Sequence, residues 1–317
     1  MGCQISGRSD CLQHAAIATI SLSAPACAAD LTSIGMTVGN LGNPFFLSMQ
    51  KGAQAKAREL AGRDVEITAV SSDYDLNKQS TQIDNFIASG VDMVLLNAAD
   101  PTAIEPAMVR LKAAGITSVA LDVTAKGADA QVQTDNIAAG RNACKYITDK
   151  LGGTGNVVII TGPPTSSVLD RVSGCKESLA KSPGIKILSD NQNGKVTREG
   201  GLEVMIGLLT AFDKIDAVFT INDQEAIGAD LAARQLNRTD FFITSVDGAP
   251  DIVEALKQPG SLVQASSSQD PYAMAQKAVE VGYAILQGKP PAEKVTLIPT
   301  ELVTRDNVNQ YKGWTSK

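Results

Sequence analysis

The sequence predicts an α/β protein built from two doubly wound parallel-sheet lobes, joined by a three-strand hinge and facing each other across a cleft. Three observations carry this expectation. From residue 31 onward, short apolar runs alternate with amphipathic stretches that close on glycine, the pattern of a parallel sheet with helical crossovers. The rhythm then runs a second time with matching details. VDMVLLN (91–97) and IDAVFTIN (215–222) both begin with an apolar–Asp pair and end in Asn, and ITSVALD (116–122) and FFITSVD (241–247) share Ile-Thr-Ser-Val and end in Asp. Finally, an extra segment after residue 266 breaks a simple two-halves arrangement.

In order, the first lobe has strand candidates LTSIGMTV (31–38), DVEITAV (64–70), VDMVLLN (91–97) and ITSVALD (116–122). Helical patterns at 45–61, 76–89 and 102–114 close at Gly62, Gly90 and Gly115, where a left-handed C-cap is expected. The second lobe has strands NVVIITG (156–162), IKILSD (185–190), IDAVFTIN and FFITSVD, with helices near 137–150, 168–181, 198–211, 224–236 and 250–257. A last helix (270–286) ends at Gly288, and Pro290-Pro291 leads into the extended stretch KVTLIPTELV (294–303). Such an appendix completes both lobes, so the polypeptide is expected to cross between them near 134, 268 and 299, and parallel crossings make a hinge. The expected division is 30–134 plus 269–298 for the N-terminal lobe and 135–268 plus 299–317 for the C-terminal lobe.

Residues 1–29 read as a signal peptide. The small-residue stretch AAIATISLSAPACAA (15–29) ends in Ala26-Cys27-Ala28, an A-x-A-like cleavage site, although Arg8 is the only cation before it and Asp10 offsets that charge. A lipid anchor at Cys27 is disfavoured by Ala24-Pro25-Ala26. Cleavage would place the protein in the periplasm. It would also remove His14, the single histidine, together with Cys3, Cys11 and Cys27, leaving Cys144 and Cys175. Their spacing leaves open whether they pair. Without histidine, Ser/Cys–His catalysis and most zinc sites disappear. No cofactor or metal is expected. The 44% apolar content supports full cores, a net charge of −6 argues against nucleic acid, and no apolar run is long enough to cross a membrane.

In open parallel sheets ligands sit beyond the carboxyl ends of the strands. The polar residues there are Asn43, Asn97 and Asp122 in the first lobe, and Asn222, Asp223 and Asp247 in the second. Asn43 opens the run Asn43-Pro44-Phe45-Phe46, offering an amide and two aromatic faces with no glycine-rich phosphate cradle. Amides and carboxylates suit hydroxyl groups, and aromatic faces suit the C–H face of a sugar ring. Arg171 adds a fork of donors. Gln269 lies at a crossing, where it could reach the cleft or fix the hinge. A bland reading stands beside each residue: Asn43 a helix cap, Phe45 and Phe46 core, each Asp a cap or turn former, Arg171 a surface ion pair. The first loop, VGNLGN, is not a dinucleotide fingerprint, and Gly152-Gly153-Thr154-Gly155 precedes a strand and is a connector.

Taken together and in order over nearly all of 31–303, these residues resemble the periplasmic sugar-binding proteins of ABC importers, in the ribose/galactose-type branch. Asn43-Pro44-Phe45-Phe46 resembles the family's first-loop signature, Leu121-Asp122 its fourth-strand aspartate and Thr134-Asp135-Asn136 its first crossing. Asp170-Arg171 is similar to its sugar-reaching arginine, Asn222-Asp223 and Asp247-Gly248 to its later ligand loops, and Gln269 to its hinge glutamine. The resemblance implies hydroxyl contacts from Asn43, Asp122, Arg171, Asn222, Asp247 and Gln269, with ring packing by Phe45 and Phe46. It further implies a non-enzyme that binds a monosaccharide or polyol and hands it to a membrane permease, or signals it to a chemoreceptor. Two departures, Val123 in place of an arginine and Val196 in place of an aromatic, argue against ribose. The alternatives are the sensing domain of a lac-repressor-like regulator, which would need a basic helix-turn-helix before residue 31, and a hydrolase using Asp122 and Asp247 as its carboxylate pair.

Overall fold

The computed structural model describes residues 1–4 and 30–314; most of the expected signal peptide lies outside the described residues. In sequence order the first elements are β1 (Ser33–Val38), α1 (Pro44–Ala61), β2 (Glu66–Ser71), α2 (Leu76–Ser89), β3 (Met93–Leu96), α3 (Glu105–Ala113), β4 (Thr117–Leu121) and β5 (Ala130–Thr134). Gly62 (φ 66°) and Gly90 (φ 65°) cap α1 and α2 in the left-handed region. Helix α3 starts later than its sequence pattern suggests. Asp100 Oδ1 accepts from the amides of Thr102 (2.8 Å) and Ala103 (2.7 Å), a local turn that competes with helix, and Pro106 then occupies its first turn.

Next come α4 (Asn136–Lys150), β6 (Thr154–Thr161), α5 (Ser166–Leu179), β7 (Gly184–Asn193), α6 (Arg198–Ala211), β8 (Ala217–Thr220), α7 (Asp223–Gln235), β9 (Phe242–Asp247), α8 (Pro250–Lys257) and β10 (Val263–Ser268). The last elements are α9 (Pro271–Leu286), β11 (Val295–Ile298) and β12 (Leu302–Thr304). One six-stranded sheet runs β11-β5-β4-β3-β1-β2 and the other β12-β10-β9-β8-β6-β7; β12 alone is antiparallel to its neighbour. Two lobes, each a parallel sheet with helices on both faces, follow from this order.

Strands β5 and β10 were not among the apolar runs. Their sequences, AQVQT and VQASSS, carry too little apolar surface to announce a strand, but they lie beside β4 and β9 and take their ladder hydrogen bonds from them. The 294–303 stretch is split at Pro299, which has no N–H to give a ladder, so one half joins each sheet.

Alternation along the strands divides each lobe into two cores. Met93 and Leu95 of β3 point to α1 and α9, with Met49, Ala53, Met274 and Ala278. Val94 and Leu96 point the other way, to Ile83, Phe86, Met108 and Leu111 of α2 and α3. In the second lobe Val158 and Val218 face α6–α8, whereas Val157 and Phe219 face α4 and α5. A disulfide joins Cys144 of α4 to Cys175 of α5, resolving what the spacing left open. These two helices touch at glycine: a Cβ on Gly140 would lie 2.0 Å from the Arg171 carbonyl oxygen, and one on Gly174 2.1 Å from that of Ile137.

The polypeptide passes between the lobes at 134–136, 268–271 and 298–302, and the three passages hold one another. Asp135 N–H donates to Ile298 O (2.9 Å), Ser268 N–H to Glu301 O (2.7 Å), and Thr134 Oγ1 to Gln269 Oε1 (2.7 Å).

Glycine contacts set opposite expectations for two substitutions. Gly207, within α6, has open space where a Cβ would sit, so Gly207→Ala raises stability by about 0.5–1 kcal/mol. Gly140→Ala must force α4 from α5 and loses about 2 kcal/mol or more. Reducing the disulfide lowers stability by about 2–4 kcal/mol. Denaturant unfolding of the two variants and of wild type, with and without reductant, checks all three.

Candidate functional site

The loops at the carboxyl ends of the two sheets meet around one enclosed space. Its walls include Asn43, Phe45, Phe46, Tyr74, Asn97 and Asp122 from the first lobe, Arg171, Val196, Asn222 and Asp247 from the second, and Gln269 from the hinge. About 400 Å³ lies between atoms, including solvent at its mouth, and about 30 Å³ is open to the centre of a water molecule. Asp122, Arg171, Asp247 and Gln269 are each only 4–6% exposed, so the lobes are closed over the site.

All eight residues to which the resemblance gives a ligand contact line this cavity, and several also fill the blander roles. Asn43 caps α1, its Oδ1 accepting from Phe45 N–H at 3.0 Å. Phe45 and Phe46 are packed edge to face, centroids 5.5 Å apart. Asn222 caps α7 through Glu225 N–H (3.0 Å) and donates Nδ2 to Val196 O (3.2 Å). Arg171 is no surface ion pair. Its Nε donates to Asn136 Oδ1 (2.8 Å), and its Nη1 donates to Ile221 O (2.8 Å) and lies 3.4 Å from Asp247 Oδ1. Gln269 bridges hinge and cleft, accepting from Thr134 and donating Nε2 to Asp247 Oδ1 at 2.6 Å.

Asp223 departs from its expected place at the ligand edge. It is absent from the cavity wall, fully buried, and accepts from Ser245 Oγ, Ser266 Oγ (2.7 Å) and Ala249 N–H (2.7 Å), fastening β9 and β10 to α7. Val123 also misses the cavity; it packs into the core beneath α2 and α3.

The two lobes supply equivalent positions. Asp122 follows β4 with φ 71°, and Asp247 ends β9 with φ 139°, a region that non-glycine residues seldom occupy and that marks stored strain. After the second strand of each lobe, two consecutive residues are left-handed: Asp73 (55°) and Tyr74 (58°), then Lys195 (59°) and Val196 (60°). Each pair ends in a side chain on the cavity wall, and each is followed by a helix cap, Asp75 or Thr197. The Val196 turn is held by Glu225 Oε1, which accepts Val196 N–H at 3.0 Å. Tyr74 was missed from sequence. Its signal is positional, since the internal repeat aligns it with Val196. Gly39 makes room for it, because a Cβ there would fall 2.3 Å from the ring.

Charge in this space is unbalanced. Burial pushes both Asp122 and Asp247 up to about 6, against the pull of Arg171. Burial likewise lifts the Tyr74 phenol above its ordinary range, so it stays a neutral donor. Asp122 Oδ2 accepts from Asn97 Nδ2 at 2.8 Å. Asp122 Oδ1 and Asn97 Oδ1 are buried without a partner among the described residues. Bare acceptors on two cavity-wall side chains suit a donor-rich guest. Among the described residues no group of His, Cys, Asp and Glu could hold a metal ion.

Comparison with known proteins agrees with this geometry. Residues 34–290 match the periplasmic binding protein domain family. The chain is 31% identical to the ribose import binding protein of Bacillus subtilis, over 86% of this chain and 87% of that protein. It is 29% identical to a xylitol-binding protein of Mycolicibacterium smegmatis, over 93% and 85% of the two proteins. Among solved structures, an ABC transporter solute-binding protein from Bacillus halodurans C-125 with bound myo-inositol superposes with TM-score 0.80 at 26% identity, covering 89% of this chain and 98% of that one. The chain belongs to the periplasmic binding protein family, as a solute-binding protein of the sugar-importer type.

Proposed function

We propose that the protein is exported to the periplasm and there closes on a neutral five-carbon sugar or polyol, which it delivers to the membrane permease of an ABC importer without chemical change. The lobes that move are 30–134 plus 269–298 and 135–268 plus 299–317. Asn43, Asp122, Arg171, Asn222, Asp247 and Gln269 take the hydroxyls, Phe45 and Phe46 the C–H face of the ring or open polyol, and Tyr74 joins them.

The observation that carries this reading is the pair of bare acceptors, Asp122 Oδ1 and Asn97 Oδ1, in a closed two-lobed cavity. Vicinal hydroxyls supply the two donors they lack. The narrow space, with about 30 Å³ open to the centre of a water molecule, suits a guest of monosaccharide size rather than an oligosaccharide. Xylitol and ribose relatives point the same way. The hydrolase alternative finds no support among the relatives, which are binding proteins. Closure is stabilised by whatever contacts the ligand makes in the closed state alone.

A thermal-shift and calorimetric panel of xylitol, ribitol, D-ribose, L-arabinose, D-glucose and myo-inositol tests the reading. Five-carbon members raise the melting temperature by mass action; a flat panel with well-folded protein sinks it.

Asp122→Asn separates binding from stability. Asparagine tolerates the left-handed backbone at 122, and the change removes a buried, poorly compensated carboxylate. The ligand-free melting temperature rises, while affinity falls about ten- to hundredfold because a charge-assisted acceptor is gone. Loss of both together, or unchanged affinity, would reject Asp122 as a contact.

Acidity acts with two signs. The folded-state values near 6 lie above the ordinary 3.8, so the ligand-free fold binds protons more tightly than the unfolded polypeptide. The stability these two groups contribute is therefore fully present below about pH 4 and is lost as pH rises through about 6. Binding runs the other way, since hydroxyl donors need ionised acceptors: affinity at pH 5 is about tenfold weaker, per carboxylate engaged, than at pH 7.5. Melting curves without ligand and calorimetry with it, across pH 4.5–8, check both slopes.

A further inference from the structure

Trp314 is the only tryptophan in the sequence, and it follows β12, the antiparallel edge of the second lobe's sheet. Its ring nevertheless belongs to the first lobe's apolar layer, with Phe45, Phe46, Met274 and Ala275. It is 9% exposed and meets Phe45 edge to face, centroids 5.8 Å apart. Its Nε1–H donates to the carbonyl oxygen of Asp247 at 2.9 Å, the same oxygen that accepts the hinge amide of Gln269 at 2.8 Å. Three residues earlier, Tyr311 donates its hydroxyl to Gly248 O at 3.2 Å. Asp247 and Gly248 have φ 139° and 66°, so two successive residues with positive φ are gripped by two aromatic donors from the tail. Strained backbone persists only where its surroundings over-determine it, and here the tail is a large part of those surroundings.

We infer that residues 311–314 are a working part of the binding site: Trp314 and Tyr311 are positioning residues that hold Asp247 at its angle and tie it to Phe45 in the other lobe. The inference rests on the reading of Asp247 and Phe45 as ligand contacts. Because the indole is stacked on one lobe and hydrogen-bonded to the other, movement of the lobes alters its surroundings, and its emission reports closure. A tail that merely covered the core would do neither.

The test compares wild type with Trp314→Phe, which keeps an aromatic ring and loses the N–H, and with Tyr311→Phe. Amide hydrogen exchange needs no ligand. Loss of the indole donor is expected to speed exchange at Gln269 and Gly248 about tenfold, the worth of one hydrogen bond, with the core amides of β8 unchanged. Exchange that is equal in wild type and Trp314→Phe overturns the proposal. D-ribose, xylitol and myo-inositol are then titrated by calorimetry and by the emission of the single tryptophan. Whichever binds wild type shifts that emission and binds Trp314→Phe about tenfold more weakly, chiefly through faster dissociation. Equal affinity in the variant overturns the positioning role and leaves the receptor reading intact. If none of the three binds wild type, it is the receptor reading that fails, and hydrogen exchange still decides the tail.

Discussion

One guanidinium serving two buried carboxylates is the constraint on which the rest depends. Arg171 is 5% exposed and pairs with Asp247, while Asp122 feels its charge without an ion pair and is hydrogen-bonded by the amide of Asn97. A buried charge is tolerated when it is paired or given other donors. Much of the surrounding structure supplies that support. Asn136 and the Ile221 carbonyl fix the fork of Arg171. Helix α5, which carries it, is locked to α4 by two glycine contacts and a disulfide. Gln269 brings the hinge to Asp247. Among the cavity-wall residues, Asp122 and Asn97 keep acceptor capacity that the fold does not satisfy, and the proposed ligand would complete it.

The internal repeat explains how such a site arises from ordinary loops. Each lobe presents an asparagine after its third parallel strand position, an aspartate in left-handed backbone one strand later, and a left-handed pair after its second strand. The lobes then diverge in chemistry. The first contributes phenylalanines, a phenol and the bare acceptors; the second contributes the cation and an aliphatic wall at Val196. A guest between them would meet aromatic rings and acceptors on one side, and a guanidinium beside the Asp247 carboxylate on the other.

The fold was legible because buried parallel strands read as continuous apolar runs and the helices close on glycine. β5 and β10 were not, since AQVQT and VQASSS owe their conformation to neighbouring strands rather than to their own side chains. The cavity wall was legible wherever a polar residue stood at the end of an apolar run, as with Asp122 and Asp247. That rule misplaced Asp223, because the residue after Asn222 turns inward to fasten serines that only the folded sheet brings near. It passed over Tyr74, whose approach depends on left-handed backbone and on the missing side chain of Gly39. Trp314 was hidden for another reason: its contacts lie 67 residues back, at Asp247, and further still at Phe45.

The interleaved hinge also bears on how the protein matures. Helix α9, close to the end of the sequence, is the partner of α1 near its beginning; Gly52 approaches the backbone of Tyr272 so closely that a Cβ would fall 2.2 Å from its carbonyl oxygen. The edge strand β11 comes later still. The part of α1 that meets α9 is therefore covered only once α9 has been made, so the first lobe in sequence order is completed after the strands β6–β10 of the second. Under the proposed export, that delay would keep the polypeptide threadable during passage through a membrane, with the Cys144–Cys175 bond formed in an oxidising compartment.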